Sequence, residues 1–404
     1  MRKANEQQCD ILIVGGGMVG LTLACALAES RLSVIVLERE LSAPFLSLQR
    51  DCRVSAIVAG NMEILRGIGV WPFLAPHAEA LLAMRVWDGQ ESGSLRFEAD
   101  DIASDELGCI VENSLLQQAL LDRLHQAENV RIVAPVELEE LAIHEECARV
   151  RLCDGRSFTS ELVVGADGAR SWVRTQAGIG LLFTRDYRQK GVVCSVRPER
   201  PHRGVALQRF LPGGPLAQLP LTGNLCSIVW SAPLEEADRL MQLGDAAFLE
   251  ALNLAIGPHF GRIVESGARA AFPLKMQMAA TIADERIALI GDAAHTIHPL
   301  AGLGVNLGIR DAMVLAQELV DARRYGEEIG SRETLARYAH ARQPDLLSVM
   351  GSMEGLHRLF TSNLPLLPAL RANGMRLFDN SGWLKSALMR NSTGLTLPVP
   401  KRVG

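Results

Sequence analysis

DILIVGGGMVGLTLACALAESRLSVIVLE, residues 10–38, decides the fold. An apolar run at 11–14 breaks into Gly15, Gly17 and Gly20, a helical run follows, and a second apolar run at 34–37 ends in Glu38. Strand, glycine turn, helix and strand in this order make a βαβ unit with a dinucleotide seat. Gly15 permits the tight turn, Gly17 lets backbone approach a pyrophosphate, and Gly20 lets the helix lie close to the sheet. The helix N-terminus offers unpaired N–H groups and the positive end of its dipole to the anion. Glu38 falls 18 residues after Gly20, at the tip of the second strand. A carboxylate there accepts hydrogen bonds from both hydroxyls of an adenosine ribose and repels a 2′-phosphate, so the seat suits FAD or NAD rather than NADP.

The 404 residues, 48% of them hydrophobic, suffice for two or three domains with ample core. Forty-one Lys and Arg against 46 Asp and Glu leave a net charge of −5, so no basic surface recommends nucleic acid. The eight cysteines form no C-x-x-C pair, which fits reduced thiols in a cytoplasmic protein. Residues 11–28 are uncharged, but the glycine cluster and the second strand argue against a membrane span. The stretch 287–309 is nearly uncharged too, yet Asp292, His295, His298 and Pro299 are costly in hydrocarbon. No transmembrane segment is expected, and a peripheral membrane contact stays open.

Periodicity orders the rest. A helix is expected over 55–68, a strand pair over 84–97 turning at Asp88-Gly89, and a helix over 113–127 with Asn113 as N-cap. Strands at 130–136, 148–152 and 161–164 make a small β-meander inserted in a doubly wound fold. Strands dominate from 191 to 232, helix returns at 234–256, a strand at 286–290 follows, and a helix runs from about Val305 to Tyr325. Beyond Arg332 the pattern is helical with breaks at Pro344, Pro365 and Pro368, and the chain is loose from Asn391. The fold class is therefore α/β: a doubly wound, Rossmann-like FAD-binding domain, an inserted β-sheet substrate domain and a helical C-terminal region. The expected division is 1–75, 98–180 and 276–345 for the discontinuous FAD-binding domain, 76–97 and 181–275 for the substrate sheet, and 346–404 for the C-terminal helices.

Two further motifs add weight. In VVGADGARS, residues 163–171, and ALIGDAAH, residues 288–295, a strand ends in an Asp flanked by glycine, placed to reach ligand hydroxyls. Each alone also reads as a βα turn with an N-capping Asp. Together with the first motif, in this order, they resemble the single-component FAD-dependent aromatic hydroxylases, the para-hydroxybenzoate-hydroxylase-like flavoprotein monooxygenases. RVSAI at 53–57, GVW at 69–71, IVEN at 110–113, VGADGARSWVR at 164–174 and GDAAHTIHPLAGLGVNLG at 291–308 narrow the resemblance to ubiquinone-biosynthesis hydroxylases.

That resemblance implies a cofactor set. Gly15, Gly17 and Gly20 would hold the FAD pyrophosphate, Glu38 the ribose with Arg39 beside it, and Gly291 and Asp292 the ribityl chain. Asp167 would serve the pyrophosphate surroundings and the visiting nicotinamide, and Arg53 would offer a cation and a fork of donors. The loop 299–306 leads into a helix, so amides of Gly304, Val305 and Asn306 converge on the flavin N1/C2-carbonyl edge, where reduced flavin is negative. His298, Pro299, Gly302 and Gly304 form the expected catalytic group, with His298 a candidate proton shuttle. Leu303 departs from the family's frequent glutamine. His295 and His298 lack a third ligand, so no metal is expected, and a turn with imidazoles bonded to backbone is the better reading.

The implied reaction uses NAD(P)H to reduce FAD, activates O2 at flavin C4a, and hydroxylates the ring of a polyprenylated phenol. Val193, Phe210, Leu219, Leu221, Ile228 and Trp230 are candidates for the apolar substrate lining or for plain core. An apolar and basic stretch at 356–378 suits either membrane or partner contact, or a docked helical hairpin. A flavin reductase acting on an isoprenoid or quinone, and a non-catalytic lipid-partner-binding protein, remain as alternatives. Oligomeric state is open.

Overall fold

The computed structural model describes residues 6–40, 52–88, 94–258, 261–297, 304–361, 379 and 381–394. Its first sheet is built around β1 (Glu6–Val14), flanked in parallel by β2 (Val34–Leu37) and β11 (Ser157–Gly165). β8 (Val130–Val133) extends it beyond β2 and β18 (Ile287–Leu289) beyond β11, again in parallel. Ile11, Leu12, Ile13 and Val14 are all buried, as a parallel strand covered on both faces requires. β17 (Ala283–Asp284) closes the edge antiparallel to β18. β9 (Leu138–Ile143) and β10 (Ala148–Leu152) run antiparallel into β11, so a meander is present but with 138–143 as its first strand, and the strand expected there at 130–136 instead pairs in parallel with β2.

The second sheet has β12 (Leu181–Pro198) and β16 (Ile263–Ala279) as long antiparallel partners. β15 (Leu225–Pro233), β14 (Gly214–Leu221), β13 (Val205–Leu211), β5 (Ala83–Asp88) and β6 (Ser94–Glu98) continue it from β12, and β19 (His295–Thr296) closes the side of β16. The β5–β6 pairing is as expected, although its turn at 89–93 lies outside the described residues. A small third sheet holds β7 (Gly108–Glu112) between β3 (Val54–Val58) and β4 (Glu79–Leu81).

The main helices are α1 (Met18–Ala26), α2 (Ala59–Gly67), α3 (Trp71–Leu74), α4 (Asn113–Leu124), α5 (Trp172–Gln176), α6 (Leu234–Gln242), α7 (Asp245–Ile256), α8 (Gly304–Tyr325), α9 (Arg332–Thr361) and α10 (Gly382–Ser392). α6 and α7 cover one face of the second sheet through a core that includes Val192, Cys194, Ile228, Trp230, Phe248 and Leu252. Ile228 and Trp230 are therefore core rather than substrate lining. Val193 and Leu219 point to the opposite face by the alternation of the strands.

Several local expectations are corrected. The helix expected at 55–68 begins only at Ala59, because V-S-A-I-V pairs with β7 as a strand. The helix expected at 234–256 is two, divided where Leu243 turns extended and Gly244 caps α7. Asn113 is the first helical residue and Glu112 the cap position, while the Asn113 carboxamide oxygen accepts from Ser55 Oγ at 2.7 Å. α9 runs through Pro344, held to α8 by the ion pairs of Arg342 and Asp345 on either side of the proline. Pro365, Pro368 and most of the apolar and basic stretch lie outside the described residues. Thr393, expected to be loose, is buried, and its carbonyl accepts from Gly60 N–H at 2.9 Å.

Candidate active site

Three chain segments far apart in sequence meet at the carboxyl ends of β1, β11 and β18, where an open parallel sheet binds its ligands. Gly15 has φ +113°, and a Cβ there would lie 2.4 Å from the Ala166 carbonyl oxygen in the D-G loop. A Cβ at Gly20 would lie 2.0 Å from the Gly15 carbonyl oxygen, so only glycine brings α1 down onto this turn. Gly291, at φ +59°, and Gly308 both pack on Val19, and a Cβ at Gly308 would come within 2.5 Å of Val19 Cγ2. The G-D turn and the start of α8 are thereby pressed against α1.

Gly17 differs from its neighbours: a Cβ there would meet nothing within 4 Å. It stands at the N-terminus of α1 with no side-chain cap, so the first-turn amides face an opening. Glu38 sits beside it, one oxygen accepting from the Gly16 N–H and the other from the Glu40 N–H at 3.1 Å. Arg39 next to it is exposed. Asp167 does cap α5, Oδ2 accepting from the Trp172 and Val173 amides at 2.7 and 3.0 Å, but its Oδ1 is buried with no partner among the described residues. Asp292 has a solvent-accessible side chain, yet the protein around it shields it from water and pushes its pKa up, with His295 opposing this.

Beneath the G-D turn lies a charged cluster. Asp311, wholly buried on α8, accepts from the Gly291 N–H at 2.9 Å, from His295 Nε2 at 2.6 Å and from Arg342 Nε at 2.7 Å. Burial alone would raise its pKa; His295 and Arg342 outweigh that and hold it at about 2. The ionised acceptor fixes the His295 proton on Nε2. His295 therefore bonds a carboxylate rather than backbone, which corrects the expectation. Among the described residues no group of His, Cys, Asp and Glu could hold a metal.

Asn306 is buried and its side chain is committed: Oδ1 accepts from Val58 N–H at 3.0 Å and Asn61 Nδ2 at 2.9 Å, and Nδ2 donates to the Ala56 carbonyl. It ties the first turn of α8, with Gly304 and Val305, to β3 and α2. Arg53 is exposed, its guanidinium 5.7 Å from the centroid of the Phe272 ring on β16. His298, Pro299 and Gly302, with Leu303, lie outside the described residues.

Other residues at the site escaped sequence reading. Arg174 donates to the Ala293 carbonyl at 2.8 Å and the Ala169 carbonyl at 3.1 Å, joining the D-G loop to the G-D turn, and Gln277 of β16 also donates to Ala169. Gln117 of α4 donates to the Gly16 carbonyl at 2.6 Å. Arg174 and Gly308 end the two long motifs, so the motif boundaries were a signal. Gln117, Asp311 and Arg342 carry none that periodicity or spacing would expose.

A parallel sheet with a glycine-rich dinucleotide turn, joined to a second sheet by long strands, defines a flavin-dependent oxidoreductase architecture. The FAD binding domain family matches residues 8–350. The chain is 40% identical over 400 residues to a ubiquinone hydroxylase, UbiL, of Rhodospirillum rubrum, covering 98% of this chain and 93% of the relative. It is 38% identical to the 3-demethoxyubiquinol 3-hydroxylase of Escherichia coli, covering 96% and 100%. In fold it is similar to p-nitrophenol 4-monooxygenase PnpA of Pseudomonas putida, with a TM-score of 0.80, 18% identity and 96% and 98% coverage. This chain belongs to the FAD-dependent ubiquinone-biosynthesis hydroxylase family, and is an FAD-dependent monooxygenase.

The Asp311 cluster makes a pH-dependent prediction. A carboxyl held at about 2 against an ordinary 3.8 gives stability that is present above pH 4 and lost as pH falls toward 2. Asp311→Asn takes the wholly buried carboxylate from Arg342 and His295, leaving Arg342 only the partly exposed Asp345 at 2.8 Å, and should lower stability near neutrality by about 3 kcal/mol. In urea unfolding, the gap between wild type and variant should shrink from pH 4 to 2; a gap constant with pH would contradict the assignment.

Proposed function

We propose that the enzyme hydroxylates the aromatic ring of a polyprenylated phenol or quinol intermediate of ubiquinone biosynthesis, using FAD with NAD(P)H and O2. The observation that carries the reading is the meeting of the Gly15 turn, the D-G loop and the G-D turn at one end of the parallel sheet. The near full-length similarity to ubiquinone hydroxylases supports the substrate class.

The residues present fit FAD. The open space at Gly17, the uncapped start of α1 and the spare buried oxygen of Asp167 are features that a bound dinucleotide explains. In this reading Gly15, Gly17 and Gly20 form the pyrophosphate seat, Glu38 takes the ribose hydroxyls with Arg39 alongside, and Asp167 meets the pyrophosphate surroundings. Gly291 and Asp292 take the ribityl chain. Gly304, Val305 and Asn306 offer first-turn amides to the flavin N1/C2 edge, with Asn306 acting through its backbone because its side chain is engaged. Arg53, whose guanidinium lies by Phe272 of β16, is assigned to the flavin edge, and the family resemblance assigns His298, Pro299 and Gly302 to the reacting ring.

When bound, FAD supplies hydride acceptance and the activation of O2 for oxygen transfer. The protein's tasks are then positional. The face of the second sheet turned away from α6 and α7 holds the substrate ring against the site, and Arg174 and Asp311 keep the two Asp-bearing turns in register. No described helix is long and apolar enough to cross a membrane. In this reading the enzyme takes a lipid-tailed substrate from the bilayer surface or from a biosynthetic partner.

Gly17→Val should fold normally and purify without flavin, because its side chain enters open space that the pyrophosphate needs. Gly15→Val should instead damage the fold, since its Cβ meets the Ala166 carbonyl. Flavin at wild-type level in Gly17→Val would refute the seat. Asp292→Ala should weaken FAD by about 1.5–3 kcal/mol in a flavin fluorescence titration; an unchanged affinity would return the G-D motif to a plain turn. With a short-tailed prenylphenol and ¹⁸O2, NAD(P)H oxidation should be stimulated and one labelled atom should enter the ring. Stimulated oxidation with unlabelled product would sink the hydroxylase reading.

A further inference from the structure

The first turns of α2 and α8 clasp each other through two asparagines, Asn61 and Asn306. Asn61, on the first turn of α2, is fully buried. Its Nδ2 donates to the Asn306 backbone carbonyl and to Asn306 Oδ1, both at 2.9 Å. Its Oδ1 accepts from Arg310 Nε at 3.3 Å, one turn further along α8. Both ends of the Asn61 carboxamide are therefore engaged with α8, and a leucine of nearly the same size could make none of these bonds.

The clasp matters because the start of α8 is weak by itself. Gly304 opens the helix and Gly308 follows one turn later, two residues that lower helix stability, and the first amides of any helix have no partner within it. A Cβ at Gly308 would come within 2.5 Å of Val19 Cγ2, so that glycine is required, and the turn must be stiffened from outside the helix. The neighbour of Asn61 is clamped as well. Gly60 N–H donates to the Thr393 carbonyl at 2.9 Å, and a Cβ at Gly60 would lie 2.7 Å from the Gly394 carbonyl oxygen. A Cβ at Gly394 would in turn collide with the Arg310 guanidinium. Asn61, Arg310 and the segment following α10 thus form one packed support for the turn that carries the Gly304, Val305 and Asn306 amides.

We infer that Asn61 is a positioning residue for flavin reduction: by fixing the Asn306 carbonyl and side chain, it holds the first-turn amides of α8 where they stabilise the negative N1/C2 edge of the reduced cofactor. Donors held rigid stabilise charge as it develops without first having to reorganise. Oxidised flavin carries no such charge, so loosening this turn weakens the reduced form more than the oxidised one. The inference rests on the proposed FAD reading of the α8 turn and is independent of which substrate is hydroxylated.

The test is the midpoint potential of the bound flavin, measured by dye-linked reduction of the holoenzyme, together with the affinity for oxidised FAD from flavin fluorescence. In Asn61→Leu the ratio of affinities for reduced over oxidised FAD should fall at least tenfold, a drop of about 30 mV for a two-electron couple, while oxidised FAD binds within threefold of wild type. Asn61→Ala, which withdraws the carboxamide without adding bulk, should show the same drop and serves where the leucine variant does not fold. Arg123→Met is the structural control. Arg123 is buried on α4 and donates to the Ile68 carbonyl at 3.0 Å and to Glu29 at 2.9 Å, so its loss should lower the melting temperature and leave the potential unchanged. A potential unmoved by the Asn61 substitutions, affinity lost equally for both oxidation states, or the same drop in Arg123→Met would overturn the assignment. The ¹⁸O2 assay on the same proteins separates this inference from the hydroxylase reading. A potential lowered by Asn61→Leu in an enzyme whose wild type transfers no oxygen defeats the hydroxylase and leaves the assignment, while oxygen transfer with the potential unmoved does the reverse.

Discussion

The whole site depends on close backbone approach at positions that have no β-carbon. α1 reaches the end of β1 only because Gly20 lets its backbone touch Gly15, and Gly15 in turn touches the loop that ends β11. On the other side of the same helix, Val19 fills the space that side chains at Gly291 and Gly308 would need. One short helix is thus the contact point for three segments separated by more than a hundred residues each. The packing that seats the helix on the sheet is also the packing that assembles the site.

Charge then fixes what packing brings together. Asp311 is buried with a histidine, an arginine and a backbone amide as partners, an arrangement whose value lies in orientation more than in net stabilisation. Its acceptance from Gly291 N–H sets the turn that presents Asp292, and its bond to Arg342 carries that constraint to α9. Arg174 performs the same task between the D-G loop and the G-D turn. Asp167 is thus fixed by the Trp172 and Val173 amides, and the turn that carries Asp292 by Asp311.

Much of this was legible in the residues. The glycine spacing and the apolar runs around it specify a βαβ unit with little competition from other folds, and two later Gly-Asp turns locate the strands that join it. What failed, failed for physical reasons. V-S-A-I-V before α2 fits either a strand or a helix by its apolar pattern, and pairing with β7 decides. β15 alternates Cys226, Ile228 and Trp230 with Ser227, Val229 and Ser231, but alternation alone does not say which of the two sets meets α6 and α7. Pro344 lacks an N–H donor, yet ion pairs to α8 on both sides of it sustain the helix. The Asp311 cluster joins residues on separate elements, and no periodicity within one element reveals it.

The central claim is that three distant turns close around a single FAD. A crystal structure of the protein saturated with FAD tests it most directly. The account predicts density for one extended flavin nucleotide, its pyrophosphate at the Gly17 amide, its adenosine ribose at Glu38 and its ribityl chain at Asp292. FAD bound in any other cleft, or a nucleotide that reaches Gly17 while Asp292 stays solvated, would contradict it.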